Sequence, residues 1–538
     1  MKSIKVISIT LLYIIGIAIS SQAQLAEQQL SDMVKYSDIL NSVLKETVVH
    51  YVDSIDVEAI TEEAINGMLK DLDPYSEYIP AKEMPDFQIM TTGEYGGIGS
   101  VISMKDSSII IREPYEGMPA VLSGLIPGDK ILYIDGESME GKDTKQASDL
   151  LKGQPNTKLT LTIERIGESK PRKIEITRKR IHINPVVYSG VLENNIGYIY
   201  LSSFTVDSGR AVKEAFLELM NKNISALVFD VRDNGGGVVD ECLEILNLFM
   251  AKGDTLLSMK GKIKQYDRVY KAMQAPIAPD MPIAILINGN SASASEIVAG
   301  AVQDLDRGIL VGEKTYGKGL VQITRSLPHG GQLKLTSAKY YIPSGRCIQR
   351  IDYSKKEKAD SDTVPVTFYT RNGRPVYDGG GISPDFEVKE ENVPSMIFYL
   401  EAKSIFFDFV AQWRVDNPVI ASPSEFEVSE ELYNEFKEYV KSVDFTYDLQ
   451  SERTLETLKR AMELEGYKDI ANEEFQSLEK LLKPDLDRDL ELHKKIISKH
   501  LAYNIMQQYY YHKGTKMYEL RDDVVLNKAI LQLQTNVN

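Results

Sequence analysis

Cysteine is almost absent, with Cys242 and Cys347 the only two in 538 residues. Two thiols make no disulfide framework, and their spacing matches no metal motif, so both are expected as buried free thiols. Positive charge is in deficit too. Lys and Arg number 62 against 78 Asp and Glu, a net charge of −16. That argues against a nucleic-acid binder, which needs a concentrated basic face. The acidity is spread along the chain and reads as solubility. Histidine is scarce and scattered: His50 lies in a helical pattern, His182 near a strand end, and His329 in the turn Leu327-Pro328-His329-Gly330-Gly331. His493, His500 and His512 fall on charged helical faces. Neither a metal nor a cofactor is expected from such a set. Beyond the N-terminus no apolar run is long enough to span a membrane.

The N-terminus itself carries a strong signal. Lys2 and Lys5 flank the start of an almost wholly apolar Val6–Ile19, followed by Ser21-Gln22-Ala23, a small-x-small site. This pattern predicts a secretory signal cleaved after Ala23. The run is short for a full span, which leaves an uncleaved anchor as the lesser alternative. No cysteine follows it, so a lipoprotein is not expected. The mature protein is expected to be exported and periplasmic, close to a membrane surface at most.

At this length roughly three or four domains are expected, and composition shifts divide the chain after its signal, residues 1–23. Residues 24–92 have apolar positions (Met33, Ile39, Leu40, Val43, Leu44, Val48) at helical spacing and read as packing surface. Residues 93–182 change to short strands punctuated by Gly and Pro with one late amphipathic helix, a small, partly open barrel. Residues 183–395 alternate strands and helices, a layered α/β region. Its apolar strands ALVFD and IAILI each run into a turn of small residues, RDNGGG and NGNSASAS. Residues 396–538 are charged, amphipathic and helical, without a glycine-rich loop. They can cap the core, or dock an adaptor or a second copy of the chain. The fold class is therefore α/β and α+β multidomain.

Chemistry concentrates in residues 286–322, where Ser293 follows a strand-to-helix turn and Lys318 sits between Gly317 and Gly319. Three readings compete. Gly312-Glu313-Lys314-Thr315-Tyr316-Gly317-Lys318 fits a phosphate-binding loop, but Gly319 stands where Ser or Thr must hold Mg²⁺, and a strand pattern follows in place of a helix. A Ser-His-Asp triad lacks both a suitable histidine and the G-x-S-x-G elbow. A Ser-Lys dyad fits. Lysine activates serine only when neutral, which requires burial to lower its usual pKa of ~10.4. The two glycines allow close packing around Lys318, Leu320 and Val321 supply apolar surroundings, and Gln322 can orient the amine. A helix starting near Ser295 directs its N-terminal dipole at developing negative charge. Ser291 and Ser295 are expected as loop and cap residues, with Ser295 the N-cap.

Two resemblances sharpen this reading. The segment GLIPGDKILYIDGE, after Gly96-Gly97-Ile98-Gly99, resembles a PDZ domain. It implies tail binding by the loop Gly97, Ile98, Gly99 and Ser100, where successive backbone N–H groups converge on a carboxylate. SASASEIVAGAVQD followed by GEKTYGKGLVQ, with LDPYSEYIP, RDNGGG, YYIPSGRCIQ and GGGISPD, resembles the C-terminal processing peptidases, also called tail-specific proteases. The likeness runs from about residue 30 to 390. It implies a serine endopeptidase with Ser293 as nucleophile, Lys318 as base and Gln322 as its orienter. The implied oxyanion hole joins the Ala294 N–H to one from the RDNGGG turn, Gly236 first and Gly237 as the alternative. Gly235 stands where many relatives have proline. Substrates would be polypeptides with accessible C-terminal tails. The rival from another class is a non-catalytic PDZ adaptor that binds tails.

Overall fold

The computed structural model describes residues 28–353, 365–389 and 392–535. The expected signal and its cleavage point after Ala23 lie outside the described residues. The chain divides into two compact units, one of residues up to Pro80 with Thr324–Leu335, the other of Ala81–Ile323 with Thr336 onward.

The first unit holds a helix over residues 28–50 and a second, Val57–Lys70, which Asp56 caps by accepting the Ala59 N–H at 3.1 Å. The Asp73 carboxylate then takes the N–H groups of Tyr75 and Ser76 at 2.8 and 2.9 Å. This turn launches a strand, Glu77–Ile79, paired antiparallel with Gln332–Lys334. The segment read as helical thus contains a strand, which follows the stop that Asp73-Pro74 imposes on the helical pattern. Met33, Ile39, Leu40, Val43 and Val48, read as packing surface, are exposed. Periodicity fixes which side chains share a face and does not say what covers it.

The second unit opens with the helix Met84–Thr92, closed by left-handed Gly93. An antiparallel sheet follows, its main path Ser100–Lys105, Ser108–Pro114, Lys130–Ile134, Lys158–Glu164 and Arg172–Thr177 in that spatial order. Ser100–Lys105 is therefore an edge strand. The helix Thr144–Leu151 starts in a capping box, Asp143 and Gln146 each accepting the other's N–H. Ile98, Ile109, Ile111, Ile131, Leu159 and Leu161 form the core of this PDZ-like region.

The protease-like region is a six-stranded sheet: β1 (Val186–Val191), β2 (Ile196–Leu201), β3 (Ala226–Asp230), β4 (Ile283–Ile287), β5 (Ile309–Gly312) and β6 (Phe386–Glu387), side by side in that order. All pairs are parallel except β1 with β2. Three crossover helices join them: α1 (Ser208–Met220), α2 (Val239–Phe249) and α3 (Ala294–Asp304). Strands in sequential order with crossovers of one hand place every crossover helix on the same face. Ile199, Leu227, Phe229, Ile285 and Leu310 point to that face. The alternate residues Tyr198, Val228, Ala284, Leu286 and Val311 are equally buried, as a parallel sheet demands. Their cover comes from the far end of the chain.

That end contains α4 (Lys494–Glu519), broken at Tyr511, and α5 (Val524–Thr535). Val525, Leu526, Ala529 and Leu533 of α5 pack on the open face of the sheet and make it three-layered. The other C-terminal helices build a separate core in which Phe406 stacks on Phe436 with centroids 5.0 Å apart. They also meet the PDZ-like region through Lys105 with Asp408 at 2.5 Å, Gln507 with Glu113 at 3.0 Å, and Arg112 over the Phe407 ring. Among the described residues no helix is long and apolar enough to cross a membrane. Both cysteines are free, Cys242 buried and Cys347 half-buried.

Candidate active site

The carboxyl ends of β3 and β4 carry the two small-residue turns, and hydrogen bonds stitch these together. Asp233 accepts from the side-chain amides of Asn288 and Asn290 at 3.0 and 2.8 Å, while its N–H donates to Asn288 Oδ1 at 3.0 Å. The Asn234 carbonyl accepts from the Ala292 N–H at 3.0 Å and the Ser295 hydroxyl at 2.7 Å. The Ser291 hydroxyl donates to the Val231 carbonyl at 2.8 Å. Ser291 and Ser295 are thus buried and committed to the scaffold. Ser293 alone in the run 291–304 is not fully buried.

The helix begins earlier than the sequence suggests. Ser293, not Ser295, is the N-cap of α3, because Ser295 turns its hydroxyl inward to Asn234. Ser293 has φ 56° and ψ −113°, a conformation that costs a non-glycine residue on the order of 1–3 kcal/mol and persists only under constraint. Glu296 supplies the constraint. Its fully buried carboxylate accepts the N–H of Ser293 at 2.9 Å, of Gly317 at 2.8 Å and of Lys318 at 2.9 Å, and the Thr315 hydroxyl at 2.6 Å. Burial pushes this carboxyl up to about 7, against those four hydrogen bonds, which favour ionisation. On the carbonyl side, the buried Tyr340 hydroxyl lies against the oxygens of both Ser293, at 3.2 Å, and Lys318. One carboxylate and one hydroxyl therefore bind the backbones of Ser293 and Lys318 into one assembly.

The glycines flanking Lys318 are required by contact. A Cβ on Gly317 would stand 3.1 Å from the Gly381 nitrogen, and one on Gly319 would stand 2.8 Å from the Gln349 nitrogen. Leu320 and Val321 are buried, as expected. Gln322 donates to the Thr336 hydroxyl at 3.0 Å.

In the RDNGGG turn, a Cβ on Gly236 would lie 2.8 Å from Ser293 Cβ and 2.9 Å from the Ala294 nitrogen, and its φ is +98°. The turn and the start of α3 are therefore in backbone contact. The Gly236 N–H donates to Asn234 Oδ1 at 2.9 Å. Gly237, at φ +146°, packs on the Phe204 carbonyl. At Gly235 an added Cβ would meet nothing, so this position tolerates a side chain.

The loop expected to bind tails divides. Ile98 and Ser100 line a pocket of about 300 Å³ with Ile102, Tyr95, Leu151 and Lys152. Gly97 is paired with Lys179 in a two-stranded ribbon, and Gly99 takes φ +73° at the turn. Asp86, Ile89 and Met90 of the preceding helix also line this pocket, and Lys152 pairs with Asp86 at 2.5 Å. Their sequence pattern did not mark them. Among the described residues no group of His, Cys, Asp and Glu side chains could hold a metal.

A PDZ-like β domain on the same chain as a strained serine at the carboxyl ends of an α/β sheet fits a serine-type peptidase, and the comparisons agree. Residues 195–355 match peptidase family S41, residues 110–165 a PDZ domain, and residues 396–533 the C-terminal helical domain of probable PDZ-proteases. The chain is 38% identical over 324 residues to the carboxy-terminal-processing protease of Bartonella bacilliformis, covering 59% of this chain and 73% of that one. It is 34% identical over 345 residues to a probable CtpA-like serine protease of Staphylococcus aureus, covering 64% and 67%. A solved photosystem II D1 C-terminal processing protease is 28% identical, with a TM-score of 0.37, over 65% of this chain and 87% of that one. The chain belongs to the carboxy-terminal-processing serine proteases of peptidase family S41, with a PDZ domain.

Proposed function

We propose that this chain is an exported endopeptidase that binds the C-terminal tails of polypeptides and cleaves them with a Ser293–Lys318 dyad. The observation that carries the reading is the strained, partly exposed Ser293, tied through Glu296 and Tyr340 to the backbone of Lys318. A nucleophile and a base need a fixed relation, and the tie of both backbones to two buried groups supports that reading.

In the proposed cycle a tail adds as a strand along the free edge of Ser100–Lys105, its last side chain in the pocket beside Leu151. Its carboxylate lies at the loop Gly97, Ile98, Gly99 and Ser100. Lys318 in its neutral form takes the Ser293 proton, and Oγ attacks the peptide carbonyl carbon. The oxyanion is held by the Ala294 N–H and an N–H of the RDNGGG turn. The Gly236 N–H must leave Asn234 Oδ1 to serve; otherwise the donor is Gly237. The C–N bond breaks as the amine leaves with the proton from Lys318, and an acyl-enzyme remains. Water, deprotonated by Lys318, then hydrolyses the ester and restores Ser293. Gln322, steadied by Thr336, orients the amine. The apolar N-terminus and the small residues before Gln24 support export.

Ser293→Ala and Lys318→Ala are each expected to abolish cleavage of an unstructured polypeptide while leaving tail binding intact. Proteolysis retained by Ser293→Ala would refute the dyad. Comparing one peptide with a free and an amidated C-terminus tests tail recognition separately, since equal cleavage rates would remove that part alone.

A further inference from the structure

Arg232, the first residue of RDNGGG, is 8% exposed and shared between two carboxylates. Its Nε and Nη2 donate to Asp230 at the end of β3, the shortest contact 2.6 Å. Its Nη1 and Nη2 donate to Asp523 at 3.2 and 2.5 Å. Asp523 lies between α4 and α5, is 10% exposed, and also caps α5 by accepting the N–H groups of Val525 and Leu526, both at 2.9 Å. Lys516 of α4 lies over the Tyr200 ring, and Tyr198 donates to Asp230 at 2.6 Å.

The turn after Arg232 is held from two other sides. Asn234 anchors it to β2 by donating to the Leu201 carbonyl at 2.8 Å, and Asp233 anchors it to Asn288 and Asn290 of the serine turn. Gly236 at its tip touches Ser293 and Ala294. The third anchor is the Arg232 fork, and half of that fork is bound to the C-terminal helical region.

We infer that Asp523 is a positioning residue for proteolysis, acting through Arg232 to fix the RDNGGG turn against Ser293. The C-terminal helical region thereby becomes part of the active-site support. This inference rests on the reading of Ser293 as nucleophile and of the turn as a source of oxyanion donors. Planar bidentate pairing is what a guanidinium offers and an ammonium does not, so both ends of the contact are testable.

The experiment uses the full chain and compares kcat and KM for an unstructured polypeptide with a free C-terminus. Asp523→Asn keeps the size and the capping oxygen for α5 but removes the charge from the fork. Well below the unfolding midpoint of either protein, kcat is expected to fall by between about 10-fold and 100-fold with KM unchanged, because small displacements of a positioned group cost that much. Asp523→Glu, which retains the charge, should recover part of the loss. Should Asp523→Asn fail to fold, Arg232→Lys carries the same expectation, since it keeps a positive charge beside Asp230 and loses the fork. An unchanged kcat, or a loss confined to KM, would overturn the inference. Ser293→Ala separates the two claims. Inactive Ser293→Ala beside a fully active Asp523→Asn refutes the positioning role alone, whereas active Ser293→Ala refutes the dyad on which it rests.

Discussion

Glu296 makes four hydrogen bonds as a carboxylate, yet burial raises its pKa to about 7. The two effects act on different observables. A group whose folded pKa lies above its unfolded value stabilises most below the unfolded pKa, near 4.5, and that contribution is lost as pH rises to about 7. Each unit of that window is worth about 1.4 kcal/mol at most. The ionised form, however, is the one that accepts three N–H groups and the Thr315 hydroxyl together. Activity should therefore rise with pH where this contribution to stability falls. Glu296→Gln cannot titrate, and its amide turns a donor toward other donors, so its kcat should drop about tenfold with KM little changed. Urea midpoints across pH provide the check. The stability of wild type relative to Glu296→Gln should decrease between pH 5 and pH 7, and a difference equal at both ends would exclude this titration. At the scale of single residues the sequence was partly legible. Ser293 and Glu296 stand at the spacing of a capping box, S-x-x-E, before an apolar helix. Nothing local marks Tyr340, which meets Ser293 across 47 residues of chain.

At the scale of elements, the site is two strand-to-helix turns pressed together, and glycine sets how closely they approach. Gly236 sits where a side chain would strike the Ala294 nitrogen, with a backbone angle that L-residues rarely adopt. One residue earlier, Gly235 faces open space. Gly236→Ala should thus cut kcat by about 100-fold or more by pushing the turn off α3, whereas Gly235→Ala should cleave at close to the wild-type rate. Steady-state cleavage of one peptide by both variants tests this. Similar losses in the two would mean that general disturbance of the loop, and not contact at Gly236, governs the rate. The apolar strands and both turns are legible in the sequence because ALVFD and IAILI run straight into small residues. The start of α3 was less so, and lay at Ser293 because Ser295 is drawn to the Asn234 carbonyl from another strand. The strand Glu77–Ile79 was similarly hidden, since its partner lies more than 250 residues away.

For the whole molecule, the layered α/β core was predictable from alternation of strands and helices, but the role of the C-terminal helices was not. Amphipathic periodicity shows that a helix must cover something and is silent on which surface. The answer follows from topology. A sheet wound in one direction receives all its crossover helices on one face, and its other face is just as apolar. The helix α5 closes that face with Val525, Leu526, Ala529 and Leu533, and this makes it a structural layer of the protease. Leu526 is 2% exposed in that layer, whereas Leu531 on the same helix is 54% exposed. Leu526→Ala is expected to cost about 2–5 kcal/mol, the transfer term plus the cavity it leaves, and to lower the thermal midpoint by several degrees. Leu531→Ala removes the same atoms from a solvated position and should stay within about 0.5 kcal/mol of wild type. Thermal unfolding of the two full-length variants decides the matter. If Leu526→Ala melts with wild type, α5 does not seal the sheet, and the three-layer account of this protease core fails.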